Sequence, residues 1–211
     1  MSLRSRVIGF IVLMGIGYWW AVFLSMHIVE SEFNPVYAPG SAYVLGPYGT
    51  WMTTTYFVLA GVLLSSGFGL TANLAVAIVT RLAGMAFLSA AAGAVVAGTF
   101  PMDFPPPPRT LSGRLHTLGG LLTFVPWVIG TVLFSLSMRR DQRWVRFSRT
   151  LFAISVLSIG VAAALPVSIR FGVAGGTQRV LLTLLFTWLI VAAVHLVQAR
   201  LEERTGREDA V

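Results

Sequence analysis

The chain has no cysteine. A disulfide, a zinc–thiolate site, an iron–sulfur cluster and a thiol nucleophile are thereby excluded together. It has no lysine either, so all 15 basic residues are arginine, a bias that reads as codon usage in a GC-rich genome. Charge of both signs is scarce: 11% of the residues are charged, against about 25% in an average soluble domain. A buried core cannot account for that deficit, because a water-facing surface needs charged groups to cover it. Lipid must cover much of the surface instead.

What is present is apolar and comes in long runs. Hydrophobic residues make up 56% of the 211, and the mean hydropathy is +0.80. A bilayer core of about 30 Å is crossed by about 20 helical residues, since every backbone amide must bond internally there. Six stretches qualify, at about 7–29, 51–70, 82–100, 115–138, 150–169 and 180–199. The expected fold class is all-α, a single polytopic transmembrane bundle of six spans covering 1–211. The first stretch is too long for a signal-peptide core and is followed by no small-residue cleavage site, so it is expected to stay as a span.

Arginine placement sets the expected orientation. Arg4, Arg6, Arg81, Arg139, Arg140, Arg143, Arg146, Arg149, Arg200, Arg204 and Arg207 fall on the side of the two termini. Arg109, Arg114, Arg170 and Arg179 fall in the connections assigned to the other side. Such an excess marks the cytoplasmic face. Both termini are therefore expected in the cytoplasm, in a bacterial or archaeal cell membrane. With a net charge of +7 distributed this way, the expected partners are membrane lipids and not nucleic acid. A second copy of the chain or another membrane protein would be a further partner.

The connections have their own signatures. Residues 30–49 are rich in proline, glycine and aromatics, and Phe33, Tyr37, Tyr43 and Tyr48 suit the headgroup layer. Residues 71–81 read as the next connection. Four consecutive prolines, Pro105 to Pro108, exclude helix between the third and fourth spans. A basic run at 139–149 precedes the fifth span, and 170–179 reads as a short loop before the sixth. Pro126 and Pro166 lie inside the fourth and fifth spans, where each should kink its helix or free a carbonyl. Small residues recur every fourth position, Gly61, Ser65 and Gly69 on the second span and Ala90, Ala94 and Gly98 on the third. These stripes predict close pairing of the two helices.

Residues able to do chemistry are few. The spans hold almost no charge, which argues against an ion-coupled transporter. Polar groups gather at the outer boundary: His27, Glu30, Asp103 and His116. If these helix ends meet, two imidazoles and two carboxylates could act as general acid and base on a lipid ester. His27, Asp103 and His116 could instead hold a divalent metal, or the four could simply cap helix ends. Arg109 and Arg114 are candidate contacts for lipid headgroups or for Asp103. His195, at the opposite end of its span, is expected to pack, so no bis-histidine haem site is indicated. No cofactor is assigned, and no G-x-S-x-G elbow, P-loop or HExxH is present. The expected function is that of a non-catalytic lipid-associated or accessory membrane protein. An envelope or lipid enzyme working at the outer interface is the alternative, and a small transporter the third reading.

Several motifs occur in order along the spans. They are YAPGSAYVLGPYGTWM from Tyr37 to Met52, FPMD from Phe100 to Asp103, TLSGRLH from Thr110 to His116 followed by Pro126, and GGTQR at 175–179. In this order, over six hydrophobic spans, the chain resembles the DUF998 family of bacterial and archaeal membrane proteins. The resemblance implies a six-span helical fold and no particular activity. Members commonly carry HG-x-x-H before the fourth span, where this chain has Ser112 in place of the first histidine.

Overall fold

The computed structural model describes residues 3–74 and 77–198. Six long helices follow one another: α1 (Leu3–Val29), α2 (Gly49–Asn73), α3 (Ile78–Thr99), α4 (Leu111–Met138), α5 (Val145–Arg170) and α6 (Ala174–Gln198). A short 3-10 turn, Gly40–Leu45, interrupts the α1–α2 loop, and no strand occurs among the described residues. All six helices are long and apolar enough to cross a membrane, so the chain is a multi-pass membrane protein in contact with lipid. None of them contains an aspartate or glutamate.

The helices outrun the hydropathy boundaries because helix ends need only backbone continuity, whereas hydropathy stops at the first polar group. The expected connection over 71–81 shrinks to the few residues between Asn73 and Ile78. The basic run is helical from Val145 onward. Arg179, expected in a loop, lies in the second turn of α6. Both α4 and α5 run unbroken through Pro126 and Pro166. Of the arginines used for orientation, Arg200, Arg204 and Arg207 lie outside the described residues.

Each helix packs on its neighbours in sequence, and α6 returns against α1, closing a ring. Large rings fill the interior. Phe87 lies edge-on to Phe134 at 5.2 Å, and Trp19 contacts Phe23 at 4.6 Å and Phe186 at 4.7 Å. Trp127 and Trp188, both fully buried, complete the packing. The ring leaves two faces. One carries the 30–48, 100–110 and 171–173 connections; the other, the terminal face, carries the start of α1 and the close of α6.

Small residues set how the ring closes, and the α2–α3 pairing that the stripes predict is present without being the tightest. The tightest backbone approach joins α3 and α4. A Cβ added at Gly119 would lie 2.6 Å from the Ala97 amide nitrogen and 2.9 Å from the Gly93 carbonyl oxygen. One added at Gly93 would meet the Leu122–Thr123 peptide at 2.5 Å. Helices α2 and α3 do pack, but through Gly67 on Phe87, Gly84 on Thr71 and Gly98 on Tyr56. Gly61 faces open space and Gly69 receives Ile8 of α1. The stripe on α2 thus points away from its supposed partner, because a four-residue repeat identifies a face without saying which helix covers it.

Helix α5 shows the same economy with polar atoms. Its packed face carries Ser148, Ser155 and Ser158, all buried, while Val156, Leu157 and Ile159 face outward. Each serine hydroxyl donates to a carbonyl three or four residues back. On the terminal face, Arg143 donates to the Asn73 carbonyl at 2.8 Å and to Asp141 at 2.7 Å, tying the end of α2 to the α4–α5 turn. Tertiary bonds to cations at a helix C-terminus suit both the unpaired carbonyls and the dipole.

Replacing Gly119 with alanine should cost about 1–3 kcal/mol of stability, the usual scale of overpacking, whereas Gly61→Ala should be tolerated. Thermal unfolding of the two variants in detergent tests this. Equal midpoints would rule out the close α3–α4 approach as a stability determinant.

Candidate functional site

The 30–48 face holds every polar group that the sequence singles out near a helix end, apart from His195. The structure distributes these groups over three local assemblies. The first is built on Asp103. Its carboxylate accepts from the Arg109 amide (2.6 Å), the Thr110 amide (2.7 Å) and the Thr110 hydroxyl (2.9 Å). Thr110 in turn caps α4, its hydroxyl oxygen accepting from the Gly113 amide at 3.0 Å. Ser112 donates to the Pro101 carbonyl at 2.9 Å. The proline-rich segment is thereby strapped across the start of α4. Gly113 is required there, since a side chain would strike the Asp103 carboxylate. The Thr110 amide above all, with the Thr110 hydroxyl and the Arg109 amide, holds the Asp103 carboxyl below the ordinary carboxylate range. The guanidinium groups of Arg109 and Arg114 are exposed and form no ion pair with it among the described residues.

The second assembly is a latch. Arg179 reaches from α6 into the α1–α2 loop. Its Nε donates to His27 Nε2 at 3.1 Å, and its terminal nitrogens donate to the carbonyls of Ala38 (2.9 Å) and Gly175 (3.0 Å) and to the Tyr43 hydroxyl (3.1 Å). The guanidinium also lies over the Phe23 ring at 5.3 Å and the Tyr43 ring at 5.7 Å. His27 Nδ1 bonds the Phe23 carbonyl at 2.8 Å, an acceptor, so that nitrogen carries the proton and Nε2 receives Arg179. No carboxylate pairs with Arg179 among the described residues. Oxygen lone pairs, aromatic faces and the negative end of α1 offset its charge instead. The Gly40 amide donates to Gln178 Oε1 at 2.7 Å, and the Gly176 amide to the Val36 carbonyl at 3.0 Å. Gly175 lets α6 meet the loop directly, since a Cβ there would strike the Ala38 carbonyl.

Tyr43 therefore belongs to the interior, fully buried, and not to the headgroup layer; Tyr37 and Tyr48 are exposed. Glu30 pins the far end of the same loop. It is 2% exposed and accepts from the Tyr48 amide at 2.6 Å, with Gly46 packed on its carboxylate. His27 and Glu30, three residues apart, thus serve different partners.

The third assembly is a cavity of about 80 Å³ beneath the loop. Gly40 and Ser41 of the loop, Tyr56 of α2, His116 and Thr123 of α4 and Gln178 of α6 contribute its polar lining, against walls that include Trp19, Phe23 and Phe124. His116 is buried, and its Nδ1 lies 2.9 Å from both the Ala97 and Phe100 carbonyls. Both partners only accept, so Nδ1 holds a proton, and in the neutral form of the ring the lone pair is on Nε2. That atom makes no hydrogen bond among the described residues.

The four residues of the expected cluster thus share a face without sharing a site. No group of three or more His, Asp or Glu side chains able to hold a metal gathers among the described residues. His195 packs between Trp144 (4.2 Å) and Phe147 (4.9 Å) near the terminal face. As site residues, Arg179, Gln178, Tyr43 and Tyr56 escape the sequence reading, which expected the first in a loop and Tyr43 in the headgroup layer. The signal for the first was available: an arginine following two glycines inside an apolar run, within the GGTQR motif.

Two outcomes follow. Arg179→Lys should loosen the loop, because an ammonium cannot span His27, two carbonyls and Tyr43 in one plane; the loss should be about 2 kcal/mol, the scale of one hydrogen bond to a charged group. Ser41→Cys in this cysteine-free chain reports it, since maleimide labelling should accelerate in the Arg179→Lys background. The lowered Asp103 carboxyl contributes stability above its unfolded value of about 4. That contribution is lost as pH falls through the still lower folded value. The unfolding midpoint should therefore drop below about pH 4, and less steeply in Asp103→Asn.

No curated protein and no solved structure matches the chain. A family model described as a protein of unknown function, DUF998, matches residues 13–195. The matched segment runs from within α1 almost to the end of α6 and includes the Asp103 strap, the Arg179 latch and the cavity. The chain belongs to the DUF998 family.

Proposed function

We propose that the chain is a non-catalytic, lipid-associated membrane protein whose loop-covered cavity receives an uncharged polar group of a membrane amphiphile. One observation carries this reading: three of the four candidate acid–base groups on this face, His27, Glu30 and Asp103, are engaged in holding loops and helix ends. Asp103 accepts three hydrogen bonds from the Arg109–Thr110 segment, Glu30 holds Tyr48, and both nitrogens of His27 are engaged. The cavity is lined by neutral donors and acceptors, with no carboxylate and no guanidinium. Its aromatic walls favour an apolar body with a small polar end. The arginine excess on the terminal face supports a cytoplasmic location for both termini, with the cavity toward the outer leaflet. Arg109 and Arg114, exposed and without ion pairs among the described residues, would then meet headgroup phosphates.

A second reading has one observation in its favour. His116 keeps an unbonded Nε2 in a residue that lines the cavity beside Ser41 and Tyr56, which suits a general base. Lipid mass spectrometry and metal analysis of the purified protein separate the two. The binding reading expects an intact amphiphile that co-purifies with the native chain and is lost in Gly120→Leu, which fills the cavity from a position with open space around it. A lipid product formed by the native chain but not by His116→Gln would overturn it.

A further inference from the structure

A second recess lies toward the terminal half of the bundle and shares no lining residue with the His116 cavity. It is an open groove of about 280 Å³ between α2 and α3, lined by Leu64, Gly67, Phe68, Thr71, Arg81, Gly84, Met85 and Leu88. The two helices are antiparallel neighbours, and the lining spans eight residues on each, Leu64 to Thr71 and Arg81 to Leu88. At 1.5 Å per residue the groove runs roughly 10 Å along the helices. Its deep end is wholly apolar. Its shallow end lies near the close of α2 and in the first turn of α3, at the depth of the bilayer interface.

Three features of that shallow end are left unexplained by the fold. Arg81 is exposed, and its guanidinium makes no hydrogen bond or ion pair among the described residues. The Thr71 hydroxyl is buried at atomic level with no hydrogen-bond partner. Helical threonines elsewhere in this chain bond their own carbonyls, as Thr123 and Thr131 do. Finally, the hydroxyl packs directly against Gly84, where a Cβ would lie 2.6 Å from Thr71 Oγ1. A cation, a buried donor and an oily trough thus follow one another from the interface inward.

We propose that this groove binds one acyl chain of an anionic phospholipid, with the phosphate on Arg81 and the ester carbonyl within reach of the Thr71 hydroxyl. The order of the three groups matches the order of the chemistry in such a lipid: phosphate outermost, ester next, hydrocarbon deepest. Charge complementarity selects the anionic class. A polybasic surface attracts such lipids in general, but only a groove adds a position for the chain. Exposed Phe68, Met85 and Leu88 along the rim extend the apolar contact.

The test uses the full chain in nanodiscs of phosphatidylcholine with a minor fraction of phosphatidylglycerol, and native mass spectrometry to count retained phosphatidylglycerol. Arg81→Gln should lower retention about fivefold, the scale of one interfacial arginine. Leu88→Trp, which obstructs the trough without touching charge, should lower it comparably. Arg140→Gln removes an exposed arginine from the same face outside the groove and should leave retention unchanged. Glycerol 3-phosphate, which has the phosphate and no chain, should not compete. Equal losses in Arg140→Gln and Arg81→Gln, or no loss in Leu88→Trp, would overturn the proposal. Gly120→Leu should have no effect on this readout, so failure here is distinct from failure of the cavity reading.

Discussion

Within hydrocarbon no water is available to satisfy a polar group, and this one constraint shapes each level of the structure. It accounts for six unbroken helices that contain no carboxylate. It accounts for buried hydroxyls that turn back onto their own helices: Thr123 bonds Gly119, Ser135 bonds Thr131 and Ser155 bonds Leu151. Because these bonds stay within one helix, the serine face of α5 packs without leaving orphaned donors. The few bonds that cross between helices then act as fasteners. Trp188 donates to Ser135 at 3.0 Å, Ser5 to Asn73 at 2.8 Å, and Tyr18 meets Thr54 at 2.7 Å.

The same constraint explains how an arginine can sit in the second turn of α6. With no acid in any helix, Arg179 takes its partners from a loop that folds inward to supply them. The dependence runs both ways. Residues 36–43 have few partners of their own, and the carbonyls and amides that face α6 are held by Arg179, Gln178 and Gly176. Tyr43 is drawn into the interior as a consequence, and the loop becomes the roof of the His116 cavity. The acidic residues of this face, Glu30 and Asp103, then serve the loops at its two sides. Both carboxylates accept hydrogen bonds from loop backbone, whereas His116 lines the cavity itself.

The two faces of the ring divide the labour. The 30–48 face is built by side chains bonding backbone, and its cavity is neutral. The terminal face is arginine-rich, held by Arg143 across the end of α2, and its α2–α3 groove is apolar with a cation at the mouth. An amphiphile with an uncharged end and one with an anionic end would accordingly find different places on the same small bundle.

Length and hydropathy alone determined the six spans and the all-helical class, because the bilayer demands about 20 apolar residues per crossing whatever their order. Motifs in the 37–52, 100–103, 110–116 and 175–179 segments were also enough to indicate the family. Helix ends were less legible, as Arg179 and the 71–81 connection show, since a polar residue can continue a helix once a neighbour satisfies it. Which small residues meet was not legible at all. Gly61 and Gly119 look alike in sequence, yet one faces open space and the other a backbone. Only the tertiary structure decided that, and only it separated His27, Glu30, Asp103 and His116 into different assemblies. Proximity to the same face is a property of spacing along the chain. Partnership depends on loop folding, and the loop folds according to where Arg179 finds its acceptors.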